Sequence, residues 1–107
     1  MNNQDQDAKF FVGQIVYHHL FDYRGVVVDV DASFQGTEQW YDEVARSHPP
    51  KDQPWYQVLV DKSTNQTYVA ERNLVSDRTR DPIDHPKLGL FFNRYQGGVY
   101  LSKTPNH

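Results

Sequence analysis

The chain has 107 residues, a formal net charge of −3 and no cysteine. This length suits one compact domain, and the lack of cysteine excludes disulfides and thiolate zinc sites. A strong non-specific nucleic-acid binder usually carries positive charge, so DNA binding here requires a local basic patch on an acidic body. No segment approaches the roughly 18 apolar residues of a membrane span and no secretory leader is recognisable, so we expect a cytoplasmic protein.

Composition also sets the expected domain organisation. Residues 1–9 are polar, so we expect a disordered N-terminal tail followed by one domain over residues 10–107. Aromatic residues make up 14% of the chain. Large aromatic side chains most often fill a thin core, and the alternative is an aromatic binding surface.

The first predicted element is an antiparallel hairpin. Residues 14–20 and 26–31 are rich in β-branched and aromatic side chains, and the connection Phe21–Arg24 between them is short. Because side chains alternate along a strand, the second strand should present one inward face of three valines, namely Val26, Val28 and Val30.

A helix is predicted inside the long connection that spans residues 32–54. It should run from about Thr37 to Arg46, because Thr37 is a good N-cap and the apolar side chains that follow recur at helical spacing. The segment His48-Pro49-Pro50 should end it. We interpret this connection as an excursion laid across the body by Trp40 and Tyr41, and structured long loops are often functional.

The second half of the chain predicts another hairpin and another helix. Residues Trp55–Asp61 and Thr67–Leu74 should pair across a turn in which Asn65 takes a left-handed conformation. Asp84 should then cap a second helix, which should end at Gly97-Gly98. Its apolar stripe consists of Leu88, Phe91, Phe92 and Tyr95.

A last short strand is predicted at Val99–Lys103. About five short strands in two hairpins, with two small helices in the connections, predict a mainly β fold. The architecture that fits best is a small, partly open, SH3-like antiparallel β-barrel, and an OB-type barrel is the alternative.

Tests for chemistry are negative at the sequence level. His18 and His19 are neighbours on a predicted strand and should point to opposite faces, so they should not ligate one metal ion. Asp29 and Asp31 could imitate a catalytic carboxylate pair, but solvated strand-edge charges are far commoner. The sequence also lacks a nucleophile elbow and a phosphate loop. We therefore expect no enzyme, no metal and no cofactor.

The remaining interpretation is a module that acts by contact with a partner. Arginine and tryptophan are the side chains most enriched at interface hot spots. The predicted contact surface combines Arg24, expected at the exposed tip of the first hairpin, with Trp40 and Arg46 from the insertion and Arg72 from the second hairpin. Trp40, Trp55 and the pair Phe91-Phe92 are too many large aromatic residues for one small barrel to bury easily, which favours a homo-oligomer.

Four motifs in order resemble the YccV-like, hemimethylated-DNA-binding family, whose bacterial members are called heat shock protein HspQ. The resemblance covers about residues 10–102. In the first hairpin it rests on Gly13, Gln14, Val16, His18, Tyr23, Gly25, Val26, Val27, Asp29 and Asp31. Further along it rests on Pro54, Trp55, Tyr56, Tyr68, Ala70, Glu71, Leu74 and the segment His85–Phe92.

The resemblance implies an SH3-like barrel and two activities of different classes. One is assistance to an ATP-dependent protease that degrades damaged or specific substrates, including a replication initiator, during heat stress. The other is binding to hemimethylated DNA in replication control. Most motif residues are ones that we assign to the core or to turns, so the resemblance transfers the fold better than it transfers a binding site. The acidic charge slightly favours the protein-directed activity.

Overall fold

The structure, a computed structural model, describes residues 8–102. Within this range the strands are β1 (Ile15–His18), β2 (Tyr23–Asp31), β3 (Trp55–Val60), β4 (Gln66–Ala70), β5 (Leu74–Ser76), β6 (Phe92–Gln96) and β7 (Val99–Ser102). The helices are α1 (Glu38–Val44) and α2 (Leu88–Phe91). Most of the predicted tail and Lys103 of the predicted last strand lie outside the described residues.

The strands form two antiparallel sheets. The larger has the order β4-β3-β2-β1-β5, and β6 pairs with β7 in the smaller. The predicted mainly β, antiparallel fold with two short helices is confirmed. Over residues 8–102 the two sheets do not close into one hydrogen-bonded barrel.

Gly13 joins the two sheets. Its backbone N–H donates to Val27 in the large sheet at 2.8 Å, and its carbonyl accepts from the Tyr100 N–H in the small sheet at 2.9 Å. The residue has φ +97°, and an added Cβ would lie 2.0 Å from the main-chain carbonyl oxygen of Tyr100. Only glycine fits both requirements, which explains this residue at the start of the first strand.

Strand β2 is buried on both faces at its centre, because a core cluster lies on each side of it. Val26 and Val28 pack into one cluster, whereas Val27 and Val30 pack into the other. A bulge between Val27 and Asp29 shifts the alternation and carries Val30 to the opposite face. The predicted single inward face of β2 is therefore wrong.

Helix α1 confirms the predicted excursion between strands. The Thr37 side chain caps it by accepting a hydrogen bond from the Trp40 N–H at 3.0 Å. The helix ends at Val44, before the predicted Arg46.

The prediction of a second helix that ends at Gly97-Gly98 is largely wrong. Helix α2 is a single turn, and the chain then becomes the strand β6 because Phe92 and Tyr95 reach the core from an extended backbone. Gly97 and Gly98 have φ values of +64° and +89° and form the tight turn from β6 to β7. Glycine pairs favour such a turn as strongly as they favour a helix end.

Two local predictions are also wrong. Asp84 does not cap α2, since the N-cap residue is Lys87 and no side chain caps the helix there. In the turn from β3 to β4, the residue with positive φ is Lys62, at 61°, and not Asn65. Among residues 8–102, no helix combines the length and apolar character needed for a membrane crossing.

Candidate functional site

An aromatic cluster fixes α1 against the large sheet. The Phe34 ring lies at its centre, with centroid distances of 4.8 Å to Trp55 and 5.9 Å to both Trp40 and Tyr68. The Trp55 indole N–H donates to the Pro50 carbonyl at 3.0 Å. These contacts hold the segment around α1 in one position relative to the strands, so the surface that it forms is preorganised.

A groove opens between α1, the turn from β1 to β2, and the strand β4. It has a volume of about 610 Å³. We call it the aromatic groove, and it is lined by His18, Leu20, Phe21, Tyr23, Trp40, Val44, Ala45, Arg46, Ser47, Pro49, Trp55, Gln57, Gln66, Thr67, Tyr68, Val69, Ala70 and Asn73. A concave site of this size with mostly apolar walls is typical of ligand binding.

Large apolar side chains are exposed at the rim of the aromatic groove. Leu20, Phe21 and Val44 have exposed fractions of 55%, 73% and 56%. Leu20 and Phe21 belong to the turn after β1, where polar residues are the usual occupants. Clustered exposed apolar side chains next to a cavity are typical of an interaction surface.

His18 holds the Phe21 side of this rim. Its Nδ1 accepts a hydrogen bond from the Phe21 N–H at 3.1 Å, and the two rings stack at 4.7 Å. Burial, followed by the nearby His19, lowers the pKa of His18. His18 is therefore a buried histidine whose ring makes a hydrogen bond.

A smaller cavity of about 370 Å³ adjoins the aromatic groove. We call it the acidic notch, and it is lined by Asp31, Gln35, Gly36, Thr37, Trp40, Gln57 and Tyr68. The Tyr68 hydroxyl donates to the Asp31 carboxylate at 2.6 Å. Burial and this hydrogen bond raise the pKa of Tyr68 well above its usual value, so the phenol stays protonated and keeps donating to Asp31.

The structure brings together three of the four predicted contact residues. Trp40 and Arg46 line the aromatic groove. Arg72 lies beside it and donates to the Ser47 carbonyl at 3.0 Å. Arg24 is elsewhere, because it belongs to β2 and not to the hairpin turn, so its predicted position at an exposed tip is wrong.

Arg24 links two loops through its partly buried guanidinium group. Its guanidinium pairs with Asp61 at 2.9 Å and with Asp77 at 3.1 Å, and it donates to the Asp81 carbonyl at 2.6 Å. The two carboxylate side chains are only 8% and 9% exposed. We call these groups the Arg24 clamp, and they tie the segment after β5 to the end of β3.

Sequence reasoning missed a buried carboxylate. Glu71 is 8% exposed, and its Oε2 accepts from the Tyr56 hydroxyl at 2.6 Å and from the Lys9 N–H at 2.9 Å. The Tyr56 hydroxyl also accepts from the Phe10 N–H at 3.3 Å. This network attaches the first described residues to the sheet, and it lies outside the aromatic groove.

Titratable side chains show no catalytic arrangement that we can assign. Across residues 8–102, no three His, Asp or Glu side chains come together as metal ligands would. His18 is buried, whereas the ring Nε2 of His19 bonds the Arg72 carbonyl at 2.9 Å, so the adjacent histidines are used separately. What the site offers is therefore a shaped apolar surface with an acidic pocket beside it.

The chain matches a model of a known protein family. The model described as YccV-like, hemimethylated DNA-binding protein YccV like, matches residues 8–99. The match spans the large sheet, the aromatic groove, the Arg24 clamp and the strand β6. The chain therefore belongs to the YccV-like family.

Proposed function

We propose that this protein is a non-enzymatic regulatory protein of the HspQ type that modulates ATP-dependent proteolysis of substrates, including a replication initiator, during heat shock. It acts by contact, in the cytoplasm, and the aromatic groove is the contact surface. The observation that carries the proposal is the groove itself, about 610 Å³ with Leu20 and Phe21 exposed at its rim. Such a surface suits a protein partner.

Three of the cationic side chains make contacts within the protein, which supports a protein partner over a nucleic acid. DNA binding requires several Lys or Arg side chains free to neutralise phosphates. Arg24 is engaged by two carboxylates, Lys51 pairs with Glu38, and Arg72 donates to a main-chain carbonyl. The lining of the groove is mainly apolar, and its single arginine is Arg46.

The experiment measures the degradation of a fluorescent unfolded substrate by a purified ATP-dependent protease, with and without this protein. We expect the protein to change the degradation rate and Trp40→Ala to abolish most of the change, since truncation of a buried interface aromatic costs about 2 kcal/mol or more. The matched control is Leu90→Ala, because Leu90 is 69% exposed and lies outside the groove. Equal effects of Trp40→Ala and Leu90→Ala would contradict the proposal.

The second candidate is binding to hemimethylated DNA in replication control, and the family match over residues 8–99 favours it. Arg78 and Arg80 are exposed in the segment after β5 and are the side chains that we would test. Binding to unmethylated, hemimethylated and fully methylated duplexes should then weaken in Arg78→Ala, with the salt slope smaller by about one unit. Unchanged binding and slope would remove this segment from consideration.

Two finer statements about the assembly accompany the proposal. We assign the chain to the SH3-like barrel class, supported by the bridge between Gln14 and Val99 that joins the edges of the two sheets. We also propose a homo-oligomer, supported by the exposed Leu20 and Phe21.

A further inference from the structure

The strand β4 presents its edge to the aromatic groove. It is the outer strand of the large sheet, and all five of its residues, Gln66–Ala70, line the groove. Successive side chains of a strand point to opposite faces, so one face alone would contribute only alternate residues. A groove lined by five consecutive residues therefore runs along the backbone edge of β4, which suits an extended chain that adds as a further strand.

The acidic notch continues this groove. Trp40, Gln57 and Tyr68 line both cavities, so one ligand can contact both. Trp40 and Tyr68 line the notch together with Asp31, and the Tyr68 hydroxyl donates to the Asp31 carboxylate. A carboxylate next to aromatic rings is a favourable environment for an ammonium or a guanidinium group, through ion pairing and cation–π contact.

The charge around the notch has one sign on the side of β2. Asp31 accepts the Tyr68 hydroxyl, and the charges of Asp31 and the exposed Asp29 both act to raise the pKa of Tyr68. Asp31 is the one charged residue among those that line the notch, so the notch carries negative charge, whereas the lining of the neighbouring groove is mainly apolar. The two cavities together complement a basic side chain next to a bulky apolar one.

We propose that the aromatic groove and the acidic notch bind an extended peptide segment of a protein partner, paired with the edge of β4, with a Lys or Arg side chain in the notch and a bulky apolar side chain in the groove. The inference deepens the proposed function, because it names the kind of sequence that the same surface recognises. The inference rests on the proposed function only for the identity of the partner protein that carries this peptide segment.

The dimensions limit the segment to a few residues. The strand β4 lines the groove with all five of its residues, so its edge is about 16 Å long at a rise of roughly 3.3 Å per residue. An extended chain that pairs with this edge covers it with about five residues. Adjacent basic and apolar residues within one short strand therefore fit the site.

The test uses a short fluorescein-labelled serine-rich peptide with the central sequence Val-Lys-Phe-Val, and fluorescence anisotropy with the full chain. A second peptide has Glu in place of Lys. We expect the Lys peptide to bind about tenfold more tightly, the effect of one charge-assisted contact. Equal affinities would overturn the charge selectivity and with it the proposal.

The variant Asp31→Asn separates recognition from folding. An asparagine oxygen can still accept the Tyr68 hydroxyl, so we expect the fold to persist while the preference for the Lys peptide disappears. The matched control is Asp84→Asn, which removes the same charge from an exposed residue outside both cavities. The same loss of preference in both variants would overturn a specific role for the notch.

Main-chain pairing has its own test. Methylation of alternate backbone nitrogens in the Lys peptide gives two complementary patterns, and only the pattern that faces β4 should weaken binding, by about tenfold for the lost contacts. Tolerance of both patterns would overturn strand addition. No peptide binding, with sedimentation showing copies that associate through β4, would overturn the proposal in favour of a second copy as the occupant.

The outcome is distinguishable from that of the proposed function. If the peptides bind with the expected preference but the protein does not alter proteolysis, the inference holds and the proposed function fails. If Trp40→Ala abolishes modulation of the protease but neither peptide binds, the proposed function holds and the inference fails.

Discussion

Tyr23 and Arg24 are neighbours in β2, and they belong to opposite regions of the molecule. Tyr23 lines the aromatic groove, whereas Arg24 is the centre of the clamp that binds Asp61 and Asp77. Neighbouring side chains in a strand point to opposite faces, so one step along the chain separates the two regions. In the clamp the polar groups satisfy one another, and in the groove the apolar groups remain exposed.

This contrast indicates which side chains are free to contact a partner. An arginine that is held by two nearly buried carboxylates contributes to stability and has few donors left for another molecule. An exposed phenylalanine contributes little to stability and much to recognition. We therefore expect variants of the clamp to alter unfolding and variants of the groove to alter binding.

The largest expected effect follows from Arg24→Met. The side chain of Met fills a similar volume but leaves Asp61 and Asp77 without their cation, although these side chains are only 8% and 9% exposed. Removal of one partner of such a network typically costs 3–5 kcal/mol when it is fully buried, and Arg24 is 21% exposed, so we expect about 3 kcal/mol. Urea unfolding followed by tryptophan fluorescence measures it.

The control for the clamp is Arg72→Met. Arg72 is exposed and donates one hydrogen bond to a main-chain carbonyl, so its replacement should cost less than about 1 kcal/mol. A loss from Arg24→Met no larger than that from Arg72→Met would mean that the clamp does not stabilise the fold and that the contrast between the two regions is wrong.

The next effect concerns Tyr56→Phe. The change removes a hydroxyl that donates to the buried Glu71 and accepts from the Phe10 N–H. A buried group that loses its partner costs about 1–3 kcal/mol, so we expect a loss of about 2 kcal/mol in the free energy of unfolding. Differential scanning calorimetry would show it as a lower Tm.

Tyr23→Phe is the matched control for Tyr56→Phe. The Tyr23 hydroxyl bonds the partly buried Thr67 hydroxyl at 2.7 Å, and this partner is neutral. The expected loss is therefore about 1 kcal/mol or less. If Tyr23→Phe lowers Tm as much as Tyr56→Phe, the hydrogen bond to the Glu71 carboxylate stabilises the fold no more than the hydrogen bond to the neutral Thr67 hydroxyl.

The sequence predicted the elements better than their environment. The first hairpin, α1 with its Thr37 cap, and the hairpin of β3 and β4 follow from local patterns and are confirmed. The helix predicted from the apolar stripe between Leu88 and Tyr95 is wrong. Spacing alone does not distinguish a helix from a single turn followed by a strand whose bulge alters the alternation of side chains. That bulge lies between Phe92 and Arg94, and pairing with a later strand determines it.

The candidate site was predicted in part for the same reason. Trp40, Arg46 and Arg24 were all predicted because their residue types are common at interfaces. Trp40 and Arg46 do line the groove, but Arg24 belongs to an internal clamp. Its partners Asp61 and Asp77 are distant in sequence, so nothing local indicated them. The apolar pair Leu20-Phe21 in a turn was a usable signal for the groove rim, because exposed turns are usually polar.

A smaller effect should appear when the pH falls. Burial lowers the pKa of His18 below that of the unfolded chain, so the stability that its neutral form supplies is present above about pH 6.5 and is lost as pH falls through the folded pKa. Protonation also removes the Nδ1 acceptor for the Phe21 N–H. The free energy of unfolding, measured by urea at pH 7 and pH 5, should therefore fall.

His18→Leu should reduce that pH dependence more than His19→Leu does, because burial of His18 itself is the larger cause of its lowered pKa and the nearby His19 is the smaller one. The comparison is between slopes, so a general loss of stability in His18→Leu does not affect it. The same pH dependence in the His18 variant and the wild type would assign the titration to another group.

The smallest effect on stability and the clearest effect on association are expected from Phe21→Ser. Phe21 is 73% exposed, so its replacement should change the free energy of unfolding by no more than about 0.5 kcal/mol. The same side chain forms an exposed apolar pair with Leu20, and in a two-fold dimer the pairs of the two copies would pack against each other and leave the groove open. Sedimentation velocity at high micromolar concentration should show the wild type as an oligomer and Phe21→Ser shifted towards the monomer.

Leu90→Ser is the control, since Leu90 is 69% exposed in α2, away from the groove. A monomeric wild type would contradict the proposed homo-oligomer, and equal shifts in the two variants would show that exposure alone, and not the pair Leu20-Phe21, drives association.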